Sequence, residues 1–138
     1  MIVGFTAGTF DLLHTGHIFM LFECKRKCDK LVVGLHADPS TERLTKNKPV
    51  QSLFERYMQL TACKYVDSII PYSTEKDLEN MMATLQIHRR FVGEEYKNTI
   101  ITGQSICNDR GIEIIYNNRM HDYSSTELRE RTRYGFRR

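Results

Sequence analysis

The sequence contains no long hydrophobic run. None of its apolar stretches approaches the roughly 18 residues that a helix needs to cross a bilayer. The start, Met1-Ile2-Val3-Gly4, also lacks the basic residues that open a secretory signal peptide. We therefore expect a cytoplasmic protein and do not expect a membrane as partner.

The spacing of the cysteines does not indicate a metal site. The chain has four cysteines, at positions 24, 28, 63 and 107. Cys24 and Cys28 match neither the Cys-x-x-Cys spacing nor a zinc knuckle. They are expected to be reduced thiols in or near the core.

The chain also lacks a strong charge of one sign. With 20 Lys and Arg against 17 Asp and Glu, the net charge is +3. This is too small to indicate a nucleic-acid partner, although the arginine-rich end, Arg129 to Arg138, could contact RNA, an anionic substrate or another subunit. The sequence shows no linker or repeat, and its 138 residues fit one domain, 1–138.

Short apolar runs alternate with helical patterns along the chain. Strands are predicted at Ile2–Thr6, Leu31–Leu35, Asp67–Pro71, Arg90–Gly93 and Ile112–Tyr116. Helices are predicted at His17–Cys28, from Ser52 to about Cys63, at Glu75–Leu85, near Gln104–Asp109, and from Ser124 or Ser125 to about Arg133. This alternation predicts an α/β domain with a doubly wound, parallel, five-stranded, Rossmann-like sheet.

The stretch from Gly8 to His17 follows the first predicted strand and leads into the first predicted helix. A glycine-containing turn between a buried strand and a helix is suited to binding phosphate, because its backbone N–H groups and the helix's positive end point at the ligand. If the helix begins near Thr15, the imidazoles of His14 and His17 both lie at that end. A surface or capping role for the two histidines is the alternative.

The ten residues Gly-Thr-Phe-Asp-Leu-Leu-His-Thr-Gly-His resemble the signature of the nucleotidyltransferase superfamily, most closely that of bacterial glycerol-3-phosphate cytidylyltransferases. The resemblance implies that His14 and His17 stabilise the transition state at the triphosphate. It assigns nucleotide-binding roles to Gly8, Thr9, Phe10 and Gly16. Asp11 matches the acidic position of the signature, where a role in the turn is as reasonable as direct contact.

Asn117 to Thr126 resembles a second family signature, Arg-Thr-x-Gly-Ile-Ser-Thr-Thr. In this comparison Arg119 takes the place of the arginine, and Ser124, Ser125 and Thr126 take the places of the hydroxyls that grip the β- and γ-phosphates. Ser124-x-x-Glu127 is also an ordinary capping box. Asp122 stands where the family has glycine, which is a departure at the phosphate site.

Supporting positions extend the resemblance over nearly the whole chain. Lys46 and Lys48 match lysines that reach the triphosphate or the substrate phosphate, and Arg56 matches an arginine near the acceptor phosphate, although it could be a surface residue. Asp38 matches an aspartate near the acceptor alcohol, where an exposed Asp would be a weak base. Gly93 and Glu95 belong to a loop that flanks the base. The predicted catalytic residues are His14, His17, Lys46 and Arg119.

The resemblance implies transfer of CMP from CTP to glycerol 3-phosphate, with Mg²⁺ accompanying the triphosphate and a homodimer as the assembly. No dedicated metal site is predicted. An adenylyltransferase, or a cytidylyltransferase for phosphoethanolamine or a similar alcohol, fits the same motifs. A nucleotide-binding module without turnover belongs to another class, and RNA binding through the arginine-rich end is the weakest alternative.

Overall fold

The computed structural model describes residues 1–118 and residue 130. The strands are β1 (Val3–Gly8), β2 (Lys30–His36), β3 (Ser68–Tyr72), β4 (Arg89–Gly93) and β5 (Glu113–Asn117). The α-helices are α1 (Thr15–Lys25), α2 (Leu53–Thr61), α3 (Glu75–Thr84) and α4 (Gln104–Arg110), and short 3₁₀ turns lie at Pro39–Thr41 and Glu94–Tyr96. The final helix predicted from the sequence lies outside the described residues, apart from Glu130.

The five strands form one sheet in the order β3-β2-β1-β4-β5, and every neighbouring pair is parallel. β1 is central, with β2 on one side and β4 on the other. The direction of strand order therefore reverses beside β1, where open α/β sheets bind ligands. The predicted doubly wound, parallel, five-stranded sheet is confirmed.

Strand side chains alternate between two cores, one on each face of the sheet. Phe5 and Val32 pack with Met82 and other residues towards α3 and α4. Leu31 and Val33 pack with residues such as Leu21 and Leu60 towards α1 and α2. Because both faces are covered, the strands read as continuous apolar runs in the sequence.

The four thiols follow the sequence expectation. All are free, with Cys24, Cys63 and Cys107 buried and Cys28 half-buried. Burial raises the pKa of the Cys24 thiol to about 12, so this thiol stays protonated at neutral pH. Among the described residues, no helix is long and apolar enough to cross a membrane.

Several boundaries differ from the sequence prediction by one to three residues, and two of them have a clear physical reason. β1 continues through Ala7 and Gly8, whose small side chains carry no hydrophobic signal but pair with Gly34 and Leu35. Helix α1 begins at Thr15 and not at His17, because a polar cap at His14 sets its start.

Candidate active site

The turn after β1 places two histidines at the start of α1. His14 is the N-cap residue, and its Nδ1 accepts a hydrogen bond from Gly16 N (3.0 Å). His17 in turn caps His14, because His17 Nδ1 accepts a hydrogen bond from His14 N (3.2 Å). The two ring centroids lie 3.9 Å apart. The histidines form a reciprocal cap, the role that Ser and Glu play in a capping box.

These hydrogen bonds assign the tautomer of both rings. An Nδ1 that accepts from a backbone N–H carries no hydrogen of its own, so each neutral ring carries its hydrogen on Nε2. Both side chains line the cleft at the carboxyl ends of the strands. The cap therefore orients two imidazole N–H donors at the positive end of α1, where anions are favoured.

The backbone of this turn is strained at two residues. Phe10 and Leu12 have φ values of 51° and 52°, in the left-handed region that side chains with a Cβ rarely adopt. Phe10 is buried, with its ring 5.5 Å from that of His17. A Cβ on Gly8 would lie 3.0 Å from the Phe10 ring, so a side chain there would crowd it. Strain of this kind persists only where the surroundings fix the conformation.

Asp11 supplies part of that constraint. Its buried carboxylate accepts hydrogen bonds from Val50 N (2.8 Å) and Gln51 N (2.9 Å). Gln51 in turn accepts from Leu12 N through its side-chain oxygen (2.8 Å). These bonds join the turn after β1 to the segment before α2, which supports the turn role that the sequence left open.

Arg56 ties three segments together from inside the protein. Its side chain is 2% exposed, so the surface position considered from the sequence is wrong. The guanidinium donates to the carbonyl oxygens of Thr9 (3.0 Å), His36 (2.6 Å), Ala37 (2.6 Å) and Gln51 (3.1 Å). With those donors used, the contacts give Arg56 a positioning role. Its predicted contact with the acceptor phosphate stays a prediction.

A cleft of about 820 Å³ opens above the carboxyl ends of the strands. Its volume lies within the range of small-molecule sites. Eight of the predicted site residues line it: Gly8, Thr9, His14, Gly16, His17, Lys46, Gly93 and Glu95. The cleft lining does not include five others: Phe10, Asp11, Asp38, Lys48 and Arg56. Arg119, Ser124, Ser125 and Thr126 lie outside the described residues, so their predicted roles stay predictions.

The two candidate lysines differ in position. Lys46 lines the cleft, whereas Lys48 does not. The pKa of Asp38 lies below its ordinary value, mainly because of a hydrogen bond from the Ser40 hydroxyl. The positive charge of Lys48 lowers this pKa further. Asp38 Oδ1 accepts from Ser40 Oγ (2.6 Å) and Ser40 N (2.9 Å) and so caps the following 3₁₀ turn. A carboxylate held this way is a poor general base.

The sequence interpretation assigned no site role to several buried cleft residues that the strands contribute. His36, Tyr72 and Arg90 are all buried and line the cleft on the side of the sheet that faces α3. Asn117, at the end of β5, is also buried and lines the cleft, with its amide donating to Cys24 Sγ (3.1 Å). A signal was available for Arg90, since an arginine within an apolar strand run requires explanation.

Known proteins share this architecture and sequence. Bifunctional protein HldE from Nitrobacter winogradskyi is 33% identical over 130 residues, which are 94% of this chain and 26% of that protein. HldE from Paramagnetospirillum magneticum is 35% identical over 125 residues, covering 90% of this chain and 25% of that protein. The chain therefore spans about a quarter of the length of these relatives.

Solved structures show the same fold. A lipopolysaccharide core biosynthesis protein from Thermoplasma volcanium is 28% identical, with a TM-score of 0.68 over 90% of this chain and 99% of that one. Pantothenate synthetase from Thermus thermophilus is 16% identical, with a TM-score of 0.57 over 95% of this chain and 64% of that one, a likeness of fold alone. The cytidylyltransferase-like family matches residues 5–131, nearly the whole sequence. This chain therefore belongs to the cytidylyltransferase-like family, a family of nucleotidyltransferases.

Proposed function

We propose that this protein transfers a nucleoside monophosphate from a nucleoside triphosphate to a small phosphorylated alcohol or sugar, and releases pyrophosphate. The observation that carries the proposal is the reciprocal histidine cap, which directs two Nε2–H donors into the cleft at the start of α1. Donors held in advance where charge develops are the main means of catalysing phosphoryl and nucleotidyl transfer.

The reaction is an in-line displacement at the α-phosphorus. A phosphate oxygen of the acceptor forms a new P–O bond, while the bond to pyrophosphate breaks and its electrons pass to the leaving group. A phosphate monoester is already ionised near neutral pH, so the nucleophile requires no general base. This agrees with the lowered pKa of Asp38, whose hydrogen bond from Ser40 makes it a weak base. His14, His17 and Lys46 would neutralise the charge that moves onto the triphosphate.

Magnesium is proposed to arrive with the triphosphate. Among residues 1–118 and 130, no group of three or more His, Cys, Asp or Glu side chains is placed to hold a metal ion. The donor set therefore fits an ion held mainly by phosphate oxygens, as Mg²⁺ prefers. When bound, Mg²⁺ would offset negative charge on the leaving pyrophosphate.

Two substrate pairs follow from different observations. The sequence motifs resemble glycerol-3-phosphate cytidylyltransferases and favour CTP with glycerol 3-phosphate. The relative named for lipopolysaccharide core biosynthesis supports a second pair, a nucleoside triphosphate with a sugar phosphate as acceptor. The cleft volume of about 820 Å³ has room for a nucleotide together with either acceptor.

The test is pyrophosphate release in the presence of Mg²⁺. CTP and ATP are crossed with glycerol 3-phosphate, phosphoethanolamine, six- and seven-carbon aldose 1-phosphates, and no acceptor. We expect release with one nucleotide and one acceptor class only. If no pair reacts although the protein binds a nucleotide, the chain is a binding module and the proposed activity is wrong.

The homodimer is the assembly that we propose from the family resemblance. Sedimentation equilibrium should give twice the mass of the chain, and a single-chain mass would contradict it. We also propose a cytoplasmic location.

A further inference from the structure

Arg90 is a buried cation that faces the cleft, and among residues 1–118 and 130 it has no acidic partner. Its side chain is 4% exposed, yet it lines the cleft. Nη1 donates to the carbonyl oxygen of Thr102 and lies 4.0 Å from Cys107 Sγ. A guanidinium carries five N–H donors. Within the described part of the chain, Nε and Nη2 have no acceptor and no carboxylate forms an ion pair with Arg90.

Tyr72 provides a second buried group in the same part of the cleft. It is 8% exposed, and its ring stacks on that of His36 with centroids 4.6 Å apart. Over residues 1–118 and 130, the Tyr72 hydroxyl has no hydrogen-bond partner. Burial raises the pKa of this hydroxyl, while the charge of Arg90 opposes that shift, so the hydroxyl stays a donor. We call the region lined by His36, Tyr72, Leu78 and Arg90 the α3 pocket.

The acid that lies nearby is already engaged. Glu75 lines the cleft, but its carboxylate pairs with Arg43 Nη2 at 2.7 Å. Burying a charge without a counter-charge is costly, and proteins keep such groups where a ligand completes them. The α3 pocket thus holds a cation and a hydroxyl donor that the described residues, 1–118 and 130, do not satisfy.

The pocket lies apart from the place where nucleotide transfer must occur. In the sheet register Arg90 lies opposite Phe5 of β1. Phe5 is three residues before Gly8, the last residue of β1, after which the turn that carries His14 and His17 (the histidine turn) begins. At about 3.3 Å per strand residue, this places the Arg90 backbone roughly 10 Å below the end of β1. Arg90 also lies on the α3 and α4 face, through its contact with Cys107, whereas α1 covers the opposite face.

We propose that Arg90 and Tyr72 bind an anionic group, a carboxylate or a second phosphate, at the end of the acceptor remote from its reacting phosphate. The inference rests on the proposed function, because it concerns the acceptor of that reaction. It narrows the acceptor class from phosphorylated alcohols and sugars in general to those with a second negative charge. A planar guanidinium favours such groups, since it can donate two parallel hydrogen bonds to a carboxylate or phosphate.

The test uses acceptors that differ only at the remote end. Glycerol 3-phosphate is compared with 3-phosphoglycerate, and glucose 1-phosphate with glucuronic acid 1-phosphate, so that a CH₂OH becomes a carboxylate. Glucose 1,6-bisphosphate supplies the second phosphate and separates the two anion types. We expect wild-type kcat/KM for the best doubly charged acceptor to exceed that of its neutral partner by at least about tenfold.

Two variants and a control assign the preference to Arg90. Arg90→Met should abolish the tenfold preference while changing kcat/KM for the neutral acceptors less than about threefold, and Arg90→Lys should retain part of it. Arg89→Met is the matched control, because Arg89 pairs with Glu113 and donates to Lys27 outside the cleft. A wild-type enzyme that prefers the neutral acceptors, or an Arg90→Met enzyme that keeps the preference, would overturn the proposal.

Binding measurements distinguish a failure of this inference from a failure of the proposed function. Calorimetric titration with 3-phosphoglycerate and glycerol 3-phosphate gives the same ratio without turnover. If the acidic acceptors bind no better than the neutral ones in wild type, the inference fails even where pyrophosphate release continues. If they bind through Arg90 but no acceptor reacts with CTP or ATP, the proposed activity fails and the pocket stands.

Discussion

His14 and His17 each combine a structural and a chemical role in one ring. The Nδ1 atom of each ring holds the start of α1, and the same hydrogen bond leaves the ring hydrogen on Nε2. A ring protonated on both nitrogens could not accept the cap bond.

The first prediction concerns the His17 ring. His17→Gln should lower turnover by at least about 100-fold, the effect of removing a transition-state donor, while Gln at this position can still accept from the His14 backbone. Pyrophosphate release measures turnover, and circular dichroism checks the fold. His88→Gln is the control, because His88 is an exposed histidine whose Nδ1 accepts from Val3 N (3.0 Å) at the opposite end of the sheet. Near-normal turnover in His17→Gln would refute the central assignment.

Residue types at known spacings predicted the histidine turn but not every role around it. Gly8 to His17 could be interpreted from sequence because its neighbours in the chain build the site. Asp11 and Arg56 could not be separated from ligand-binding residues, since all but one of the partners named above lie 19 to 47 residues away. Arg90 was missed because only the closed sheet shows that, in the described part of the chain, no acidic partner faces it.

Local patterns predicted the helices and strands closely where the end signals are polar. The Ser52-x-x-Glu55 capping box predicted from sequence is confirmed at the start of α2. The Thr74 and Asp77 box at α3 is of the same kind. By contrast, the cap of α1 uses imidazoles, which are not the usual capping side chains, so the sequence alone did not fix that helix start.

The capping carboxylate Asp77 gives a prediction for acid unfolding. Backbone hydrogen bonds from Thr74 and Ser73 hold the pKa of Asp77 below its ordinary 3.8. Its contribution to the free energy of unfolding is therefore complete above pH 3.8 and lost as the pH falls through that value to the lowered pKa. Asp77→Asn should flatten the decline of Tm below about pH 4, compared with wild type. Thermal scans from pH 7 to pH 2.5 measure the slope, and parallel curves would contradict the prediction.

The hydrogen bonds of Arg56 connect three segments, so replacing Arg56 should lower the stability of the fold. Arg56→Met keeps an apolar chain but leaves the carbonyls of His36 and Ala37 without their donor. The free energy of unfolding should fall by about 2–3 kcal/mol, the cost of leaving buried acceptors unpaired. Urea unfolding provides the measurement. If stability is unchanged while KM for the acceptor rises, Arg56 contacts substrate and the positioning role is wrong.

The whole molecule places its site by topology. Continuous apolar runs and alternating helices were sufficient to predict the parallel sheet, since only a sheet covered on both faces buries such strands. The strand order β3-β2-β1-β4-β5 puts the histidine turn at the centre of the sheet. Substrate identity stayed out of reach from the sequence, because the motifs address phosphates and the remaining cleft surface comes from distant strands.

Metal removal should separate activity from folding in the whole protein. EDTA should abolish pyrophosphate release and leave Tm of the nucleotide-free protein unchanged within about 1 °C, because no metal cluster exists among residues 1–118 and 130. Differential scanning calorimetry with and without EDTA provides the comparison, and excess Mg²⁺ should restore release. A large fall in Tm would reveal a structural metal and contradict the proposal for Mg²⁺.

The central position of β1 also sets the order in which the protein can assemble. β1 pairs with β2 after a short crossover, but its pairing with β4 closes a long loop, as the bond between Val3 and His88 spans 85 residues. Loop-closure entropy and high contact order make such a pairing slow. An incomplete sheet can therefore hold the histidine turn before the α3 pocket exists. The α3 pocket forms only when β4 pairs with β1, so a ligand that contacts both the histidine turn and this pocket selects the chain in which that pairing is made.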